Sequence, residues 1–149
     1  MRALLQRVSS SSVNVDGQTV GQVGRGLLVL LGIHKDDTAA DGDWIAKKIL
    51  QARIFEDEAG KMNLSVSDIK GELLIVSQFT LYGDLSKGTR PSFSDSMPGE
   101  AARTFYADWV AKLRSQCALK IEEGRFAATM QVNIVNEGPV TLMLDSRAK

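Results

Sequence analysis

The chain has one cysteine, Cys117, and one histidine, His34, among its 149 residues. A lone thiol cannot close an intrachain disulfide, which suits a reducing compartment, the cytoplasm, and leaves Cys117 to pack as a small apolar group at a helix end. A lone histidine excludes a two-histidine metal site, so neither a metal nor any other cofactor is expected. His34 falls in the charged turn Ile33-His34-Lys35-Asp36-Asp37, where a solvated role outweighs that of general base to a hydroxyl nucleophile. Net charge is lacking too: 18 basic and 18 acidic residues cancel. No global field draws the chain to nucleic acid or an anionic membrane, and any RNA contact must be a local patch. No run is apolar and long enough to span a bilayer. The opening Met1-Arg2-Ala3-Leu4-Leu5-Gln6-Arg7 meets a second charge too early for a secretory apolar region.

Apolar residues at 44% and charged residues at 24% are ordinary for a globular chain, and the length suits one domain over 1–149. Ala3 to Val15 reads as a strand, and Val13 to Val20 has the Asp16-Gly17 centre of a tight hairpin. Gly26 to Ile33 is a continuous apolar run of the kind buried on both faces. A helix capped by Thr38 or Asp41 runs to about Arg53, with Trp44, Ile45, Ile49 and Leu50 inward and Lys47 and Lys48 outward. Glu56 to Lys61 is an acidic turn. Glu72 to Leu81 is a second buried strand with a polar end, and Tyr82 to Pro98 a long Gly/Ser/Asp/Pro loop. A second helix spans Pro98 to Cys117, with Ala102, Phe105, Tyr106, Trp109, Val110 and Leu113 as a core stripe. The sum is α+β: a single domain with a mostly antiparallel sheet or barrel and two main helices packed against it.

Few patterns carry chemistry. Gly21-Gln22-Val23-Gly24-Arg25-Gly26 has the wrong spacing for a dinucleotide site and reads as a turn. The acid pairs Asp36-Asp37 and Glu122-Glu123 are adjacent and diverge, so they read as surface groups. Arg2, Arg7, Lys87 and Arg90 remain as cations able to meet phosphate. Two segments stand out. Ser77-Gln78-Phe79-Thr80 ends an apolar strand with two hydroxyls, an amide and a stacking ring, which fits either a binding site or a strand emerging into a polar turn. Gly138-Pro139 interrupts the strand-like stretch from Met130 to Leu144, either as an ordinary turn or as a shaped backbone feature.

Together, Ser77-Gln78-Phe79-Thr80-Leu81, the loop Lys87-Gly88-Thr89-Arg90-Pro91-Ser92-Phe93, and Asn136-Glu137-Gly138-Pro139-Val140-Thr141 resemble the bacterial D-aminoacyl-tRNA deacylases, as does Met1 to Val8. The resemblance implies a hydrolase that frees tRNA from a D-amino acid by cleaving the ester at the terminal adenosine. It implies that Ser77, Gln78 and Phe79 bind substrate and that Thr80 and the Phe79 backbone serve catalysis. It further implies a cis Gly138-Pro139, steadied by Arg7, that checks chirality in the partner subunit's site of a C2 homodimer. Lys87 and Arg90 would meet the tRNA. L-Aminoacyl-tRNA is then rejected by a built-in clash, while glycyl-tRNA partly escapes it. For catalysis, Thr80 lacks an evident base, which favours backbone N–H groups at the oxyanion and help from the terminal ribose hydroxyl. Two rivals are a non-catalytic RNA-binding module and a related editing enzyme, with a trans Gly-Pro, acting on small L-aminoacyl-tRNA.

Overall fold

Alternating burial along Arg2–Val15 makes this stretch strand β1, the spine of a computed structural model that describes residues 1–149. One edge of β1 pairs antiparallel with β2 (Gln18–Val23) and β3 (Gly26–Gly32), and the other edge with β8 (Gln131–Asp145). The β1–β2 turn is Asp16-Gly17, with φ of 50° and 77°, the geometry an Asp-Gly hairpin favours. Strand β3 pairs in parallel with β6 (Glu72–Ser77), and β6 in parallel with β7 (Ile121–Glu123). These pairs are parallel because each connection crosses through a helix, α1 (Ala39–Gln51) and then α2 (Gly99–Gln116). The order is β2-β1-β3-β6-β7, with β8 on β1. The sheet curls into a nearly closed barrel. At the seam a Cβ on Gly21 would lie 2.3 Å from the Glu123 carbonyl oxygen, an approach that needs glycine.

Both helices cover the face carrying Leu27, Val29, Leu31, Leu73 and Ile75; inside the curl, Val8, Val13, Leu28, Leu74 and Val76 form a second core. At the start of α1 the Thr38 N–H donates to Asp41 (3.0 Å), and this bond pulls the Asp41 carboxyl pKa down to about 2. In α2 the buried face is Tyr106, Trp109, Val110 and Leu113, and Trp109 Nε1 donates to the Gly42 carbonyl of α1 at 2.9 Å. Cys117 caps α2, half-buried against the core, as expected.

Four segments depart from the sequence reading. Strand β6 stops at Ser77, and Phe79–Tyr82 forms one turn of 3-10 helix instead of prolonging it. Residues 21–23 belong to β2, so the glycine-rich turn is shorter than its pattern. Around the acidic turn, β4 (Phe55–Glu56) and β5 (Met62–Leu64) form a small hairpin. Asp37 is buried, because it binds the Met1 ammonium at 2.6 Å, where Ser146 Oγ adds a contact at 2.7 Å.

Strand β8, by contrast, does not break into two strands joined by a turn. Gln6 faces Thr141 and Val8 faces Asn136, so Glu137–Val140 stand opposite the single residue Arg7 as a wide bulge.

Candidate functional site

The polar end of β6 leaves the sheet after the Gln78 N–H donates to Leu31 O at 2.7 Å. Beyond it the 3-10 turn begins, and the first amides of such a turn have no partner within it. Neither the Phe79 nor the Thr80 N–H bonds an acceptor in the turns and loops around it, and the 3-10 turn itself does not use them. The Thr80 hydroxyl instead accepts from Gln78 Nε2, and no histidine, lysine or carboxylate hydrogen-bonds it. Phe79 is 57% exposed, its carbonyl accepts from Ser96 Oγ (3.1 Å), and its ring meets Phe93 edge-on at 4.9 Å.

This rim borders a cavity of about 580 Å³. Leu31, Ile33 and Val76 lie at its base, Ser77, Gln78 and Phe79 form one wall, and Gly99, Ala102, Phe126 and Met130 belong to the other. Eleven of its fourteen lining residues are hydrophobic, so it suits an apolar or aromatic body oriented by a few polar groups. Sequence reasoning missed the second wall. Ala102 was absorbed into a core stripe, and residues 124–130 lack the periodicity that marks an element.

The Gly138-Pro139 bulge is a separate feature. Its peptide bond is cis, and both residues are exposed. Arg7, buried beneath it, donates from Nη1 to the Ile54 carbonyl (2.8 Å) and from Nε to the Glu137 carbonyl (3.3 Å). Asn136 Nδ2 ties the two flanks, donating to Arg7 O at 2.9 Å and Val140 O at 3.1 Å. Gly138 has φ of 114°, and a Cβ there would sit 2.9 Å from Arg7 Nη2. On either side Ile134, Val135, Leu142 and Met143 are exposed.

Rim and bulge are not brought together. Ser77 is level with Leu31 and Ala3, whereas the bulge is level with Arg7, four residues along β1. Roughly 13 Å along the strand and roughly 14 Å across three strand spacings put them on the order of 20 Å apart.

The remaining candidates fall outside the cavity lining. Lys87 and Arg90 are exposed in the loop after the rim, without ion pairs, on a segment pinned by the Asp84–Ser92 bridge. Within it, the Ser86 N–H holds the Asp84 carboxyl below its usual range. Arg2 is already engaged, with Asp145 at 2.9 Å, Leu81 O at 2.9 Å and the Tyr82 ring at 4.6 Å. His34 is not solvated: its side chain is 12% exposed, its Nδ1 accepts from the Asp36 N–H (3.1 Å), and it packs edge-on against Tyr82. No three His, Cys, Asp or Glu side chains converge.

Residues 4–145 match the family model described as D-Tyr-tRNA(Tyr) deacylase. The chain is 54% identical to the D-aminoacyl-tRNA deacylase of Thermosipho melanesiensis, over 99% of this chain and 98% of that one. It is 56% identical to the protein of that name from Anaeromyxobacter dehalogenans, with the same coverage. Among solved structures, one described as c-Myc DNA Unwinding Element Binding Protein superposes with a TM-score of 0.93 at 45% identity, covering 97% of this chain and 98% of that one. A probable eukaryotic D-amino acid tRNA deacylase shares the fold, with a TM-score of 0.79 at 20% identity over 96% of this chain and 97% of that one.

Proposed function

The chain belongs to the D-Tyr-tRNA(Tyr) deacylase family and acts as a hydrolase on D-aminoacyl-tRNA, and on that premise we propose how its residues divide the work. The cavity receives the terminal adenosine and its aminoacyl ester, with Ser77, Gln78 and Phe79 as the binding wall. Water attacks the ester carbonyl, the Phe79 and Thr80 amides hold the oxyanion of the tetrahedral intermediate, and its collapse releases tRNA and the D-amino acid. The observation that carries this reading is the pair of amides, Phe79 in the polar wall of an otherwise apolar cavity and Thr80 next to it, that the 3-10 turn leaves unused. Thr80 Oγ1 is a poor nucleophile, since it accepts from Gln78 and has no base beside it. The free hydroxyl of the terminal ribose helps activate the water, as the protein offers no general base there.

Chirality is checked by Gly138-Pro139 of a second copy. The rim is far from its own bulge, and exposed apolar side chains flank the bulge on both sides, which favours a C2 homodimer that carries each bulge into the opposite cavity. There the bulge backbone meets the substrate ammonium and crowds the side an L side chain would occupy. Many D-amino acids are accepted, and glycyl-tRNA is partly hydrolysed. Lys87 and Arg90 contact the tRNA, and the work takes place in the cytoplasm.

Hydrolysis of D-tyrosyl-, L-tyrosyl- and glycyl-tRNA by the purified protein tests the reading. Rapid D-tyrosyl cleavage, slower glycyl cleavage and no L-tyrosyl cleavage are expected; equal rates on the two tyrosyl enantiomers would sink it. Sedimentation under assay conditions should give the mass of a dimer, and a fully active monomer would remove the shared site.

A further inference from the structure

The second wall of the cavity carries a cation with no carboxylate partner. Arg103 lies on α2 one residue past Ala102 and four past Gly99, both of which line the cavity. Its guanidinium sits 4.8 Å from the centroid of the Phe126 ring, itself a lining residue braced by Tyr106 at 5.6 Å. Arg103 is exposed and makes no ion pair, and so is Arg125, the neighbour of Phe126 in the chain. Several other cations are neutralised locally, Arg2 by Asp145, Lys35 by Asp95 and Arg114 by Glu123, and of those left unpaired Arg103 is the one in contact with the ring of a cavity-lining residue. In a chain of zero net charge, an uncompensated pair beside the cavity is a local attraction for an anion.

We propose that Arg103, which packs on the Phe126 ring, binds the phosphate that precedes the terminal adenosine of the tRNA, with Arg125, next to Phe126 in the chain, adding to the local positive charge. The α2 wall then grips the RNA backbone while the Ser77–Thr80 wall handles the ester. This rests on the deacylase reading, because an adenosine seated in the cavity leaves its 5′ phosphate at the mouth. Contact with the Phe126 face orients the guanidinium plane and leaves its N–H edges available, the fork that matches two phosphate oxygens. The interaction is blind to base identity and to the amino acid, so it serves every tRNA equally.

The test compares D-tyrosyl-tRNA with D-tyrosyl-adenosine, which carries the same ester and no phosphate. For Arg103→Gln, KM for D-tyrosyl-tRNA should rise about tenfold, the lower range for removing a hydrogen bond to a charged group, with kcat nearly kept. D-Tyrosyl-adenosine hydrolysis should not share that loss, and Arg103→Lys should recover much of it. The slope of log kcat/KM for D-tyrosyl-tRNA against log salt should shrink by about 0.7 for each phosphate that is no longer neutralised. Equal loss on both substrates would overturn the proposal, since Arg103 would then be shaping the Phe126 wall. No loss on either also overturns it. If the unaltered protein cleaves neither substrate, the deacylase reading falls and takes this one with it; if it cleaves both, only the Arg103 result decides.

Discussion

The molecule interrupts two strands in opposite ways. At the end of β6 the chain leaves the sheet and presents amides that its 3-10 turn does not use. In the middle of β8 it bulges outward and returns, its backbone held by Arg7 and Asn136. The first region has a cavity, polar groups and an exposed ring. The second has a braced, exposed backbone and takes no part in that cavity. Unmet donors mark where a ligand completes the hydrogen bonding; a braced bulge marks where the protein itself is the object presented. The two regions have complementary equipment, which is what the proposed exchange of bulges between two copies would bring together.

Removing one amide of the rim should have the largest effect. Thr80 is in the first turn of the 3-10 helix, where a proline breaks no hydrogen bond of the turn itself, so Thr80→Pro deletes the N–H together with the hydroxyl and Thr80→Ala deletes only the hydroxyl. The proline variant should lose about 100- to 1,000-fold in kcat on D-tyrosyl-tRNA, the scale of removing an oxyanion donor. The alanine variant should lose far less; the reverse ranking would make Thr80 a side-chain catalyst.

The bulge is tested by Gly138→Ala. The added Cβ meets Arg7 Nη2 at 2.9 Å in a backbone region that resists L residues, so the bulge must shift. A displacement of that order costs about 100-fold in kcat/KM when it misplaces a reacting group. D-Tyrosyl-tRNA turnover should therefore fall while the cavity of the same chain stays intact. Mixing equal amounts of Gly138→Ala and Thr80→Pro chains then asks whether the halves belong together. Random exchange into C2 dimers gives half heterodimers, each with one intact shared site, and recovers about a quarter of wild-type activity. No recovery after verified exchange would place rim and bulge in independent roles.

Smaller effects follow from what braces and steers. Arg7→Met leaves the Ile54 and Glu137 carbonyls without their donor and should cost about 1–3 kcal/mol in denaturant unfolding. Rim variants such as Thr80→Ala should cost little stability, because the rim is exposed. Lys87→Ala and Arg90→Ala should change kcat/KM the least, about two- to threefold each, and less as salt rises.

Much of the fold was legible from local pattern. The Asp16-Gly17 hairpin, the buried run of β3, the Thr38–Asp41 cap and the stripe of α2 all depend on neighbours in sequence. The failures depend on distant partners. Phe79 and Leu81 extend an apolar run, and only the departure of the chain after Gln78 shows that the strand has ended. Gly138-Pro139 is no such failure: its residue types left a turn and a shaped backbone feature both open, the resemblance implied the cis bond that is found, and the hold of Arg7, some 130 positions earlier, shows that the strand continues across it. Asp37 looked like a surface acid until the Met1 ammonium was found beside it. Ser77 to Thr80 was identified as a motif, whereas Phe126 and Arg103 gave no signal because their meaning lies in a contact between α2 and an irregular segment.

The pairing of β1 with β8 has a consequence for synthesis. During translation β1 is made long before its partner β8, so one edge of the central strand waits unpaired while everything between is assembled. Contacts so far apart in sequence are slow to form, and an open edge invites pairing with the wrong chain. A product cut short before Gln131 would thus keep the cavity's base and binding wall yet lose the bulge and expose β1. Incomplete copies should aggregate or be degraded before they can act on charged tRNA.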